Sequence, residues 1–271
     1  MPFALVGFFL AYAEKGGTLD IQKLVAIVLC MVFARSAAMA FNRYLDRDID
    51  AKNPRTAVRE IPAGVINPKA ALGFVIFNCL LFIATTWFIN PICFYLSPMA
   101  LAIVLGYSFT KRFTALCHFV LGLGLSLAPI GAYLAVTGAF ALTPMLYSAV
   151  VLLWVSGFDI IYALQDDAFD KSLNLNSVPV KLGRVGALQL SNILHFLCAV
   201  VLIFAVWRVN TEGRVHGIIH TVGAVIFLIL LAYQHTLVKI NDLSKVNLAF
   251  FTTNGVASVI YGSFFIFDYF I

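Results

Sequence analysis

The sequence predicts an all-α membrane protein with about nine transmembrane helices. Three observations carry that prediction. The chain has 271 residues, of which 62% are hydrophobic and only 11% charged, whereas a water-soluble domain carries roughly 25% charged residues. Apolar runs of about 20 residues, the length a helical crossing needs, recur along the whole chain. The basic residues between those runs alternate in number from loop to loop, as they do in a multi-pass protein.

Taken in order, spans are read near residues 2–13, 21–45, 69–89, 93–109, 115–137, 143–163, 186–207, 215–239 and 246–269. No hydrophilic domain, low-complexity tract or long linker interrupts them, so residues 1–271 read as one membrane domain. The first span rises only ~18 Å, against a hydrocarbon core of ~30 Å. It is expected to be re-entrant or to lack the start of a longer helix. It is not read as a signal peptide, because Met1 and Pro2 open the apolar run with no basic residue before it. The second span leads into NRYLDRDIDAKNPRT, Asn42 to Thr56. The fifth contains GLGLSLAPIGAYLAVTG, where small residues around Pro129 permit close helix approach or leave room for a long apolar ligand. The sixth ends in DIIYALQDDAFD, Asp159 to Asp170.

Loops two, four, six and eight with their flanks hold 13 Lys and Arg; the odd loops hold four, Lys15, Lys23, Arg208 and Arg214. The positive-inside rule therefore places the even loops on the cytoplasmic side of the membrane. The net charge of +5 reports this topology and any anionic ligand rather than nucleic acid. Five cysteines lie in apolar segments without a CxxC pair and read as small buried hydrophobes.

The chemistry is written in two places. Asn42, Asp46 and Asp50 are spaced by four and share one helical face. Tyr162, Asp166 and Asp170 repeat that spacing at a constant offset of 120 residues. Four spans separate the two copies, so both acidic faces open on the same side. Unpaired carboxylates would repel one another, and divalent cations remove that repulsion. Mg²⁺ takes carboxylate and amide oxygens and keeps room for substrate phosphates. Two such faces suit Mg²⁺ ions around one diphosphate, with Lys52, Arg55, Arg59, Lys111, Arg112 and Lys181 available for the remaining phosphate oxygens.

These stretches resemble the UbiA family of intramembrane prenyltransferases. NRYLDRDIDAKNPRTAVREIPAG is similar to that family's NxxxDxxxD and the basic stretch after it. DIIYALQDDAFDKSLNLNSVPVKLG is similar to its DxxYAxxDxxxD, and YSFTKRFTALCH to its loop between the fourth and fifth spans. The resemblance covers nearly the whole chain. It implies nine helices around a central cavity, Mg²⁺, a polyprenyl diphosphate donor and an aromatic carboxylate acceptor, either 4-hydroxybenzoate or a dihydroxynaphthoate. It also implies a further half-helix with a basic residue and a histidine before the first span, which supports the expectation of a start upstream of Met1.

On that resemblance Asn42, Asp46, Asp50, Asp166 and Asp170 hold the metals, and Asp159, seven residues before Asp166, is a further ligand or its neighbour. Asp48 and Asp167 point elsewhere. Tyr162 is expected to bond a phosphate oxygen or to face the allylic cation with its ring. Arg35 lies inside the second span, seven residues before Asn42 and about two turns deeper. A charge there is costly and marks a functional site by default; an acceptor carboxylate is its expected partner. His216 and His220 are expected to form an interfacial pair, and His118 to pack. Two rivals are weighed. DDAFD matches the DDxxD of soluble isoprenyl diphosphate synthases, but nine apolar spans argue against a soluble bundle. A cation-coupled transporter would also have repeats and embedded acids, but near the bilayer midplane rather than beside bases at one face.

Overall fold

The computed structural model describes every residue except Gly17 and Arg214. Arg214, one of the four odd-loop bases, therefore lies outside the described residues. The described chain is helical almost throughout: α1 (Pro2–Lys15), α2 (Ile21–Asp50), α3 (Pro68–Ile89), α4 (Pro91–Thr110), α5 (Cys117–Thr137), α6 (Leu142–Ala163), α7 (Asp167–Ser172), α8 (Val178–Thr211), α9 (Ile218–Leu237) and α10 (Asn254–Phe270). Among the described residues eight segments are long and apolar enough to cross a membrane; α1 is the short first helix of the sequence reading.

The helix starts are set by local chemistry. Asp20, Asn67, Asn90 and Ser177 each accept a backbone N–H of the following helix, which satisfies a donor that otherwise has no partner in the first turn. Pro68 and Pro91 occupy the first helical position, where a missing N–H does no harm. Asn90 also donates to the carbonyls of Leu134 and Ala135 and so ties the start of α4 to the end of α5.

Helix α1 sits inside the bundle. Every residue from Phe3 to Tyr12 except Leu5 is buried, and α1 packs on α5, α6 and α10. The outer surface is instead apolar: Phe77, Phe88, Phe196, Trp207 and Ile229 are all exposed, as lipid-facing side chains are. Inside, polar groups find one another where water cannot reach them. Tyr147 and Tyr261 share a hydrogen bond of 2.8 Å, and Trp154 Nε1 donates to Asn254 at 3.0 Å. A π-helical turn over Leu248–Thr253 precedes α10 and offers Asn254 to that indole.

Several sequence boundaries move. Helix α2 continues to Asp50, five residues past the expected end, so all of Asn42, Asp46 and Asp50 are helical. The seventh span begins at Val178 rather than 186, with a bend at Gly183, whose φ of 67° suits a residue without Cβ. The second acidic copy is not one continuous helix: α6 ends at Ala163, a 3₁₀ turn covers Leu164–Asp166, and α7 begins at Asp167. His220 has a partner within the protein. It is fully buried, and its Nδ1 lies 2.8 Å from Asp268, which also accepts the N–H groups of Gly217 and Ile219 at the start of α9.

Candidate active site

Both acidic stretches line one cavity of about 250 Å³. From α2 come Asn42, Asp46 and Asp50; from α6 and the turns after it come Asp159, Tyr162, Asp166 and Asp170. The α2–α3 connection supplies Asn53, Arg55, Thr56 and Arg59, and the α4–α5 connection supplies Lys111. The constant offset read from the sequence thus becomes a meeting of two helix ends, even though the second copy is broken by a 3₁₀ turn.

Each carboxylate has a definite setting. Asp46 is 3% exposed; Lys111 Nζ is 3.4 Å and Arg112 Nη2 3.0 Å from its two oxygens. Asn42 donates to the same carboxylate at 3.1 Å. Asp50 is 4% exposed and receives Arg59 Nη1 at 2.7 and 2.8 Å on its two oxygens. Asp166 receives Asn53 Nδ2 at 3.1 Å and Arg55 Nε at 3.0 Å, and its second oxygen receives Arg55 Nη2. Arg55 Nη1 reaches on to the Tyr162 hydroxyl at 3.1 Å. Burial works against the charge of Arg55, yet the hydrogen bond and charge of Asp166 outweigh it and raise the guanidinium pKa further. Among the described residues the Asp170 side chain has no hydrogen bond or ion pair; it lines the cavity and is open to it.

The connection that carries Arg55 and Arg59 is folded back on the helix it leaves. Thr56 Oγ1 donates to the Asp50 carbonyl at 3.1 Å, and the Asn53 side chain accepts the Arg55 N–H at 3.0 Å. These short-range bonds turn the chain so that two arginines of the NPRTAVR run face the acids of both copies. The spacing of those arginines gave no hint of which acid each would meet.

Not every expected residue arrives. Lys52 and Lys181 are exposed and do not line the cavity. They stand on the outer side of the turn after α2 and in the first turn of α8, where their side chains reach solvent. Arg112 reaches Asp46 from beside the cavity and is held by the carbonyls of Leu45 and Ser108. Arg35 is exposed on α2, makes no hydrogen bond or ion pair among the described residues, and lies deeper than the cavity lining. Tyr162 stacks one ring face on Phe250 at 4.1 Å between centroids, and the Arg55 guanidinium that bonds its hydroxyl also lies over the ring, 5.6 Å from the centroid. Asp167 pairs with Arg184, and Asp48 is well exposed.

The sequence reading missed His118. It is not an ordinary packing residue. Its Nδ1 lies 2.7 Å from Asp159 Oδ2, and its Nε2 accepts the Val178 N–H at 3.3 Å. Because Nε2 accepts, the proton sits on Nδ1 and is donated to Asp159. One ring therefore holds the start of α8 and orients a cavity carboxylate. The separation of 41 positions between the two partners hid this pairing. Replacing His118 by Leu strands the buried Val178 N–H, at about 1–3 kcal/mol, and takes the orienting donor from Asp159, which is 20% exposed. We expect His118→Leu to lose most turnover and to unfold at lower temperature in detergent. His118→Gln, whose amide still donates to Asp159, should recover much of both.

A bundle of membrane helices that closes two acidic helix ends and several bases around one cavity is suited to an anionic substrate held together with hard cations. The family comparison agrees with that class. Residues 1–256 match the model of the UbiA prenyltransferase family, and the chain belongs to that family. It is thus a multi-pass membrane prenyltransferase. The chain is 30% identical over 257 residues to the 4-hydroxybenzoate octaprenyltransferase of Aliivibrio fischeri strain MJ11, covering 92% of this chain and 85% of that protein. The apo structure of a UbiA homolog from Aeropyrum pernix K1 superposes with a TM-score of 0.87 at 32% identity, covering 98% of this chain and 95% of that one. A UbiA homolog from Archaeoglobus fulgidus, solved bound to DMAPP and Mg²⁺, shares the fold at a TM-score of 0.69 and 21% identity, covering 100% of this chain and 97% of that one. Family membership sets aside the transporter reading and the soluble synthase.

Proposed function

We propose that this protein transfers a polyprenyl group from a polyprenyl diphosphate to a ring carbon of 4-hydroxybenzoate in ubiquinone synthesis. In this reading the whole chain acts as one domain in the bacterial cytoplasmic membrane, with its acidic motifs on the cytoplasmic side, where the charge bias of the loops puts them. The observation that carries the reading is the convergence of both acidic copies and of Arg55, Arg59 and Lys111 on one cavity. The names of the relatives support the acceptor.

The donor set fits Mg²⁺. Its atoms are carboxylate and amide oxygens, which a hard cation takes, and Asp170 is open to the cavity. Among the described residues no three acidic, His or Cys side chains are already gathered as a metal site; bases hold three of the carboxylates. Asn42, Asp46, Asp50, Asp166 and Asp170 are the residues that would hold the ions. Bound Mg²⁺ supplies charge neutralisation of the diphosphate, which makes it a leaving group.

The chain's own residues do the rest. Arg55, Arg59 and Lys111 bind phosphate oxygens and fix positive charge where the leaving group develops its negative charge. Tyr162 adds a hydroxyl beside them. The allylic C–O bond breaks, the ring carbon ortho to the acceptor hydroxyl forms the new C–C bond, and that carbon loses its proton. Arg35 receives the acceptor carboxylate, which gives a partner to a charge otherwise alone within a span. We expect Arg35→Ala to raise the acceptor KM about tenfold or more, the worth of a charge-assisted pair, with a much smaller change in donor KM. A uniform loss of folded protein instead would assign Arg35 a structural role.

The direct test incubates membranes containing the protein with a polyprenyl diphosphate, Mg²⁺ and either 4-hydroxybenzoate or a dihydroxynaphthoate, and extracts lipid-soluble product. Product from 4-hydroxybenzoate that disappears with a chelator is the expected result. Product from the dihydroxynaphthoate alone overturns the acceptor and moves the enzyme to a menaquinone route. Product from neither overturns both acceptors.

A further inference from the structure

The bases of the cavity are not idle: they already hold the carboxylates that the metal needs. Arg55 grips Asp166, Arg59 grips Asp50, and Lys111 and Arg112 flank Asp46. Resting on the reading that this cavity takes a diphosphate with divalent cations, we propose that the cavity-lining bases Arg55, Arg59 and Lys111 are exchange partners. They hold the carboxylates while the site is empty and pass to the phosphates when it fills, so that metal and diphosphate bind cooperatively and neither binds well alone.

The argument is one of partners and charge. A cation entering alone must draw Asp50 and Asp166 away from their arginines. It then leaves two guanidinium groups beside a doubly positive ion in a partly buried site, where like charges interact strongly. A diphosphate entering alone draws the arginines away and leaves buried carboxylates facing phosphate oxygens. Asp50 is 4% exposed, so water cannot easily take over as its partner. Arriving together, the two ligands give every group a partner of opposite sign. The exchange is also mechanically simple. Arg55 and Arg59 lie on the connection between α2 and α3, Arg55 is exposed, and their long side chains can swing without moving a helix. Asp170 is the one cavity carboxylate of the two motifs that, among the described residues, has no side-chain partner. Alone it offers a cation a weak first foothold. By linkage the effect is reciprocal: the diphosphate must strengthen metal binding by the same factor that the metal strengthens diphosphate binding.

The test measures binding rather than turnover. Full-length protein in detergent is titrated with Mn²⁺, followed by electron paramagnetic resonance, alone and with an unreactive farnesyl thiolodiphosphate. Mn²⁺ held by the analogue in protein-free buffer is subtracted. We expect the analogue to tighten Mn²⁺ binding by about tenfold or more, within the usual range of coupling between sites. In the double variant Arg55→Gln, Arg59→Gln, Mn²⁺ alone should bind more tightly than in the wild type, and most of the enhancement should vanish. Equal Mn²⁺ affinity of the wild type with and without the analogue overturns the exchange while leaving the prenyltransferase reading intact. Weaker binding of Mn²⁺ alone by a folded double variant also overturns it. Failure of Mn²⁺ and analogue to bind in any combination overturns the reading of the cavity itself, and the exchange with it. The wild-type comparison can overturn the exchange even if the double variant misfolds.

Discussion

Asp166→Asn lowers prenyl transfer by at least about a hundredfold, the scale of losing one preorganised group that acts on a developing charge. Asp166 stands at the join of both acidic copies. It receives Asn53 and Arg55 from the connection after α2, although it belongs to the turn after α6. An amide at this position keeps the size of the side chain but removes the charge. It leaves Arg55 beside a neutral group and deprives a cation of one anionic oxygen donor. Asp166 lies in a 3₁₀ turn at the cavity, outside the apolar core. Turnover and thermal unfolding of the same preparation separate the two effects. Near-normal turnover in a folded variant would remove Asp166 from the metal and phosphate site. The same comparison applied to Asp46, Asp50 and Asp170 tests the rest of the donor set.

The second large effect concerns the scaffold. Gly7→Ala destabilises the protein by about 1–3 kcal/mol or more, the usual range for forcing extra atoms into a packed interior. A Cβ at position 7 would lie 2.1 Å from the Pro129 carbonyl oxygen and 2.9 Å from its carbon. Both are backbone atoms, so no side-chain rotation relieves the overlap, and α1 must move off α5. Helix α1 is surrounded by protein and has nowhere else to go. Gly131→Ala is the control, because nothing lies within 4 Å of a Cβ built there. Unfolding in detergent at the wild-type temperature for both variants would show that α1 and α5 are not held at this distance in the working protein.

Sequence and structure divide along a physical line. The spans were legible because each is long, apolar and bounded by polar turns, and these are local properties. The second span was placed well except at its end. Hydropathy stops at the lipid boundary, while the hydrogen bonds of α2 continue through Asp46 and Asp50. The doubling of the acidic motif was legible because helical periodicity and a constant offset need no tertiary knowledge. The break between α6 and α7 was not, since a 3₁₀ turn changes the spacing only slightly. His118 was hidden for a different reason. A histidine near a loop looks like any other until α6 brings Asp159 to 2.7 Å and α8 presents the Val178 amide. His220 was likewise placed by the sequence at an interface, and only the arrival of Asp268 from α10 explains its burial.

The sequence by itself determined that this is a helical membrane protein, that two acidic helix ends open on one side, and that bases stand close to them. Those facts follow from composition, period and the parity of the spans. Only the tertiary structure decided which base meets which acid, that Lys52 and Lys181 stay outside, and that the short first helix is interior. Pairing depends on distances between segments far apart in the chain. A linear pattern can say that opposite charges are present, but not which of them the folding of six helices and their connections will bring within 3 Å.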